Sequence, residues 1–173
     1  MFDIQTVIWL FPVIFMFHDL EEIITIEGFM GKYKKAPKNL LARLVLLIKK
    51  KLGAKSSQLA VAVAWMLLII SFVTFTTANL PDSVGSFLVF TAVLNVFFVQ
   101  VFFHIAQTII LGSYTPGIIT AVCLVVPYSL FAYYHLLEAD FIDWHMIVES
   151  IPFSLLLVPI FLVGNLLGRQ FIR

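Results

Sequence analysis

Hydrophobic residues run along this chain in long unbroken stretches separated by short polar joints. The first stretch, residues 6–16, leads directly into His18 and three acids. It predicts a helix over about 4–27 that Pro12 kinks and that Gly28 and Gly31 stop. Its leader, Met1-Phe2-Asp3, carries no basic residue and no small-residue cleavage site follows, so it reads as a retained helix and not as a removed signal. Four more stretches have membrane length, at about 57–78, 84–111, 116–135 and 146–168. Asn79-Leu80-Pro81-Asp82 and Gly112-Ser113-Tyr114-Thr115-Pro116-Gly117 read as turns between them, with Pro116 suited to the first turn of the fourth helix. Pro127, Pro152 and Pro159 fall inside helices, where a membrane bundle can satisfy the carbonyls they free. These runs are continuous where the strands of a membrane barrel alternate, which excludes a barrel.

One apolar stretch is too short to cross. Residues 39–52 make only about 21 Å of helix; Leu40, Leu41, Leu44, Val45, Leu47 and Ile48 with Lys49, Lys50 and Lys51 at its end suggest an interfacial helix. The expected architecture is therefore all-α: one transmembrane domain over 1–173, with five transmembrane helices and one short interfacial helix.

Composition agrees. Of 173 residues, 61% are hydrophobic and 12% charged, against about 45–50% and about 25% in soluble domains. A net charge of +1 gives no basic face for nucleic acid. The single cysteine, Cys123, excludes a disulfide framework and a Cys-rich zinc site. Nine of the eleven Lys and Arg residues lie between Lys32 and Lys55, and Arg169 and Arg173 end the chain. With five spans all eleven fall on one side, so the positive-inside rule puts the N-terminus outside and the C-terminus in the cytoplasm, at the cell membrane. The basic segment 32–55 is also suited to anionic lipid headgroups. No internal repeat supports an inverted-repeat transporter.

Ionisable side chains inside membrane helices cost about 2.5–3.5 kcal/mol each, so those present point to function. His18-Asp19-Leu20-Glu21-Glu22 is the densest group. At about 100° per residue, Glu21, Glu22 and Thr25 share a face with His18, and Asp19 lies at its edge. The 84–111 helix carries a matching set, Gln100, His104, Gln107 and Thr108. His18 and His104 come at similar depth from the cytoplasmic ends of their helices. Asn95 lies on nearly the opposite face and suits an interhelical hydrogen bond. Trp65, Thr120 and Asn165 share the layer, but the pattern does not fix their faces.

At these residues the chain resembles a known family. His18-x-x-Glu21-Glu22 looks like the signature of the HXXEE-domain membrane proteins, and His104-x-x-Gln107 with Tyr114-Thr115-Pro116-Gly117 is similar to that family's second conserved block. The resemblance implies an integral membrane protein whose polar residues matter; it supplies no reaction.

Three active readings of the cluster differ in chemistry. In the first, His18, His104 and Glu21 or Glu22 hold one divalent metal, zinc before iron, with the second carboxylate as general base and Gln107, Gln100 and Thr25 supporting the ligands. In the second, Glu21, Glu22 and His18 move a proton on a lipid-like substrate without metal, as in an isomerase. In the third, the cluster serves a binding protein or proton-coupled carrier. A fourth reading is structural, a polar knot fixing helix packing. No nucleotide cofactor is expected. His135 and His145 beside the acidic stretch 138–143 are better explained as a solvated loop with Trp144, Tyr133 and Tyr134 as interface anchors.

Overall fold

The computed structural model describes residues 3–33, 37, 39–53, 55–80 and 83–172. Met1, Phe2, Lys34, Lys35, Lys38, Pro81, Asp82 and Arg173, which figure in the expectations above, lie outside the described residues. The described residues are helical, with no strand among them. In chain order the helices are α1 (Ile4–Lys32), α2 (Leu40–Gly53), α3 (Ser56–Asn79), α4 (Val84–Leu111), a short α5 (Ile118–Thr120) that passes through one π-helical turn (Ala121–Val125) into α6 (Val126–Glu138), then α7 (Trp144–Glu149), α8 (Ile151–Leu155) and α9 (Leu157–Phe171).

Four helical stretches are long and apolar enough to cross a membrane: Ser56–Asn79, Val84–Leu111, Ile118–Glu138 and Trp144–Phe171. Their outer surfaces are apolar too; Ile109 and Trp144 are each 74% exposed. Side chains of this kind turned outward over whole helices need hydrocarbon as their solvent. The chain is an integral membrane protein.

The helices form a ring. α3 packs on α1 to one side and α9 to the other, α1 meets the α5–π–α6 segment, and α4 closes the circuit against α6, α7 and α8. α2 lies across α3, α4 and α9. Inside the ring, Phe11 of α1 meets Phe90 edge-on at 5.5 Å and Phe97 at 5.1 Å, and stacks on Tyr128 at 5.9 Å. The Tyr128 hydroxyl is not wasted in this apolar layer, because it donates to the Val7 carbonyl at 3.1 Å.

Several boundaries differ from the sequence expectation, each for a local reason. α1 runs through Gly28 and Gly31 to Lys32, because glycine in a helix costs only about 1 kcal/mol and neither residue adopts a positive φ. The fourth helix starts at Ile118, not at Pro116, because Gly117 has φ +86° and cannot be helical. Pro127 follows the π turn, where its missing N–H would otherwise leave the Cys123 carbonyl unpaired. The last stretch breaks at Ser150 and Leu156, beside Pro152 and Pro159. The first break is caught by Asn95, whose amide donates to the Ile147 carbonyl at 3.2 Å and the Ser150 hydroxyl at 2.7 Å, while its own carbonyl accepts from Tyr133. Asn95 thus makes the interhelical bonds its position suggested.

α3 and α9 touch through Gly164 and Gly168, a small-residue pair one turn apart of the kind that lets membrane helices approach closely. A Cβ on Gly168 would lie 2.4 Å from the Gln58 carbonyl oxygen, and one on Gly164 2.9 Å from Trp65. Trp65 itself donates to the Ile160 carbonyl at 3.1 Å. Gly168→Ala is therefore expected to push α9 off a rigid backbone and cost about 1–3 kcal/mol, read as a lowered midpoint in thermal unfolding of the protein in nanodiscs.

Candidate functional site

The acidic stripe of α1 does not act as one face. It divides at His18. Glu21 and Thr25 turn toward the loop before α5, whereas Asp19 and Glu22, three residues apart, turn toward a cavity, open along one side, bounded by α1, α2, α4, α8 and α9.

Glu21 is held by four donors. Its Oε1 accepts from the Tyr114 hydroxyl at 2.6 Å and the Ile119 N–H at 3.3 Å; its Oε2 accepts from the Thr120 N–H at 2.7 Å and the Thr120 hydroxyl at 2.5 Å. Burial, and then the bond to Glu21, push the Tyr114 hydroxyl up to about 12, so it remains a donor throughout the physiological range. Thr25 donates to the Glu21 carbonyl at 2.6 Å, closing the same corner.

Thr120 passes this order on to His18. Its hydroxyl proton is spent on Glu21, so the 3.0 Å contact between His18 Nδ1 and Thr120 Oγ1 requires the imidazole to donate. His104 is fixed in the same tautomer by a different device. Its Nδ1 lies 3.1 Å from the Pro116 carbonyl, which can only accept. Both rings thus carry hydrogen on Nδ1 and, when neutral, a lone pair on Nε2. They meet edge-to-face with centroids 5.0 Å apart, and both are buried.

The loop that fixes His104 is itself tightly built. Gly112, with φ +60°, ends α4 in the left-handed cap glycine favours. Thr115 is fully buried and shares a 2.6 Å hydrogen bond with Thr108. Gly117 leaves no room for a side chain: a Cβ there would lie 2.7 Å from His104 Cε1 and 3.0 Å from Glu22.

Glu22 has a different company. Its Oε1 is 3.7 Å from His104 Nε2 and 3.6 Å from the Lys49 ammonium. Lys49 comes from α2, whose buried face is Ala42, Leu46 and Gly53. Lys49 falls on that same stripe, at helical spacing, and its side chain is only 11% exposed. Leu40, Leu41, Leu44, Leu47 and Ile48 occupy the outer face.

These groups stand at the wall of a cavity of about 790 Å³. His18, Asp19, Glu22, Lys49, His104 and Gln107 line one end of it, and Gln100 lies one turn further along α4. The remainder is mostly aliphatic and aromatic, with Val96, Val99, Ile151 and Val158 among its walls.

A family model described as a protein of unknown function with HXXEE motif matches residues 9–132, well over half of the chain. The chain belongs to the HXXEE family. The matched region includes the motif itself, His104 and the loop that anchors it. No curated protein matches the chain, and no solved structure does.

The structure brings His18, Glu22 and His104 together, sets Glu21 and Thr25 behind His18 as support, and places Gln100 and Gln107 on the cavity wall. Among the described residues, no three His, Cys, Asp or Glu side chains stand as a group able to hold a metal ion. Two further residues join the site. Asp19 occupies an x position of the HXXEE motif and lies within the cavity lining. Lys49 sits in a basic run that a charge count assigns to topology, although its place on the Ala42–Leu46–Gly53 stripe marks it as inward. His135 and His145 stay apart from the site, beside Glu138 at 3.8 Å and Glu149 at 3.3 Å respectively.

Proposed function

We propose that this chain crosses the cell membrane five times, with α1 as the fifth span, its N-terminus outside and its C-terminus cytoplasmic, and that it transfers protons on a single-chain lipid-like or small apolar substrate. In this reading α2 lies in the cytoplasmic interface, its leucines in the lipid and its neighbouring basic residues among anionic headgroups. The supporting observation is His104: a buried imidazole with Nδ1 held by a carbonyl and Nε2 turned toward Glu22 at the polar end of an apolar cavity.

Each group then has a task. His104 Nε2 takes a proton from a substrate carbon, and the imidazolium formed is stabilised by Glu22 on one side and the Pro116 carbonyl on the other. The electron pair left on the substrate is stabilised by the Lys49 ammonium. Nε2, its proton exchanging with water in the interval, then delivers a proton to a different carbon, so the reaction is an isomerisation with no net change of oxidation state. Thr120 and Glu21 keep His18, the site's second imidazole, in a fixed tautomer.

Incubating the protein in D₂O with a membrane lipid extract is expected to place deuterium in one lipid class, read by mass spectrometry. His104→Ala is expected to slow this by about 10²–10⁴-fold, the usual contribution of a positioned acid or base. Absence of exchange into every lipid class would leave a binding or carrier role instead.

A second reading has its own support, because metal-ligating histidines characteristically donate their other ring N–H to a carbonyl or a polar partner, as both do here. His18, His104 and Glu22 would then hold one divalent ion, zinc before iron, once Glu22 turns from Lys49. Stoichiometric metal in the purified protein, lost in His18→Ala and His104→Ala, would put this reading in place of the first.

A further inference from the structure

The polar end of the cavity has an unbalanced hydrogen-bond inventory. Asp19 Oδ2 and Gln107 Oε1 are both sealed from solvent and accept no hydrogen bond among the described residues. A buried acceptor left without a donor costs about 1–3 kcal/mol, and more when charged. Two of them, both in the lining of one cavity, are better explained by a donor that arrives with a ligand than by two independent losses.

Charge points the same way. The acidic and basic residues that line the cavity are Asp19, Glu22 and Lys49. Lys49 is spoken for by Glu22 at 3.6 Å, which leaves the Asp19 carboxyl without a cation among the described residues. The histidines offer it nothing: His18 Nδ1 donates to Thr120 and His104 Nδ1 to Pro116. The site therefore presents acceptors and one uncompensated acid to whatever enters.

The rest of the cavity sets the shape of the ligand. Its lining on α4 extends from Gln107 back to Asn95, about 18 Å along the helix axis at 1.5 Å per residue. The Asn95 end is walled by Val96, Ile147 and Ile151, and the Asn95 amide is already used in the α7–α8 joint. That volume and length suit one hydrocarbon chain with its head at Asp19 and Gln107.

We propose that the ligand is a single-chain amphiphile with a cationic amino head, a long-chain amine or amino alcohol, whose N–H groups satisfy Asp19 and Gln107. This rests on the proton-transfer reading only in taking the same cavity as the substrate site. On α4, His104 is one turn from Gln107, so a head held there puts the imidazole beside the first atoms of the chain.

The test uses the full chain in zwitterionic nanodiscs, titrated with tetradecylamine, tetradecanol and tetradecanoate while thermal unfolding is followed. Tetradecylamine is expected to raise the midpoint with an apparent affinity at least tenfold tighter than the other two. Asp19→Asn and Gln107→Leu are each expected to weaken the amine about tenfold, while Glu138→Gln, at the membrane surface, leaves it unchanged and controls for simple charge attraction. Tightest binding of tetradecanoate, equal binding of all three, or amine binding indifferent to both cavity variants would overturn the proposal. Loss of lipid deuterium exchange with amine binding intact would remove the reaction and keep the ligand class. Exchange without amine binding would do the reverse.

Discussion

Gly117→Ala is expected to destabilise the protein by about 2–5 kcal/mol and to abolish proton transfer, although it adds one methyl group. Two costs combine. An L-residue held at φ +86° pays roughly 1–2 kcal/mol. The new Cβ would also stand 2.7 Å from His104 Cε1 and 3.0 Å from Glu22 Oε1, and such overpacking costs about 1–3 kcal/mol. The second cost falls on the site itself. His104 cannot retreat without giving up the Pro116 carbonyl, and Glu22 cannot without leaving Lys49. Gly31→Ala is the matched control: it sits in α1 with open space around its Cβ position, and alanine there should stabilise the helix by roughly 0.5–1 kcal/mol. Equal stability of Gly117→Ala and wild type in thermal unfolding would mean that the loop does not constrain the imidazole.

Much of this architecture is legible in the sequence because lipid imposes a simple rule: a helix long enough to span must be apolar nearly throughout. That is why the boundaries expected at 84–111 coincide with α4 and those at 57–78 fall one residue inside each end of α3. The rule is silent about what breaks a helix without ending the hydrophobic run. Hence the π turn before Pro127 and the joints at Ser150 and Leu156 appear in the structure alone, where Asn95 reaches across to catch the first joint. Glycine misleads in both directions. Gly28 and Gly31 look like stops and are not, because a glycine costs a helix only about 1 kcal/mol; Gly117 looks like part of a turn and is the residue on which the site closes.

The site itself is half legible. A helical wheel puts His18, Glu21, Glu22 and Thr25 on one face, which is correct to within the width of a stripe. It cannot say that a stripe about 100° wide touches two different neighbours, the α5 loop on one flank and the cavity on the other. That depends on Tyr114 and Thr120, some 90 residues further along the chain. Lys49 is harder still. Its charge belongs to a basic run that the positive-inside rule explains completely, and only the spacing Ala42, Leu46, Lys49, Gly53 separates it from Lys50 and Lys51.

The two adjacent glutamates of the motif are expected to fail in opposite ways. Glu21→Ala removes the acceptor for the Tyr114 hydroxyl and for both the hydroxyl and the N–H of Thr120. Buried donors left without an acceptor cost about 1–3 kcal/mol each, partly recovered if Thr120 turns to the Gly117 carbonyl, now 3.4 Å away. A net loss of about 1–3 kcal/mol follows, because the corner is only part-buried and its stranded donors are neutral. His18 would also lose the fixed hydroxyl that sets its tautomer. Glu22→Gln should behave differently. Among the described residues Glu22 has its ion-pair contacts at 3.6 Å to Lys49 and 3.7 Å to His104, so the isosteric amide should change stability by less than about 1 kcal/mol. Yet it removes the anion facing the imidazolium that forms when His104 takes a proton, and the exchange rate should fall about 10²-fold or more. Thermal unfolding and lipid deuterium exchange, measured on both variants in nanodiscs, separate the two roles. If Glu22→Gln unfolds as early as Glu21→Ala, or if it exchanges at the wild-type rate, the division of labour between the paired acids is wrong.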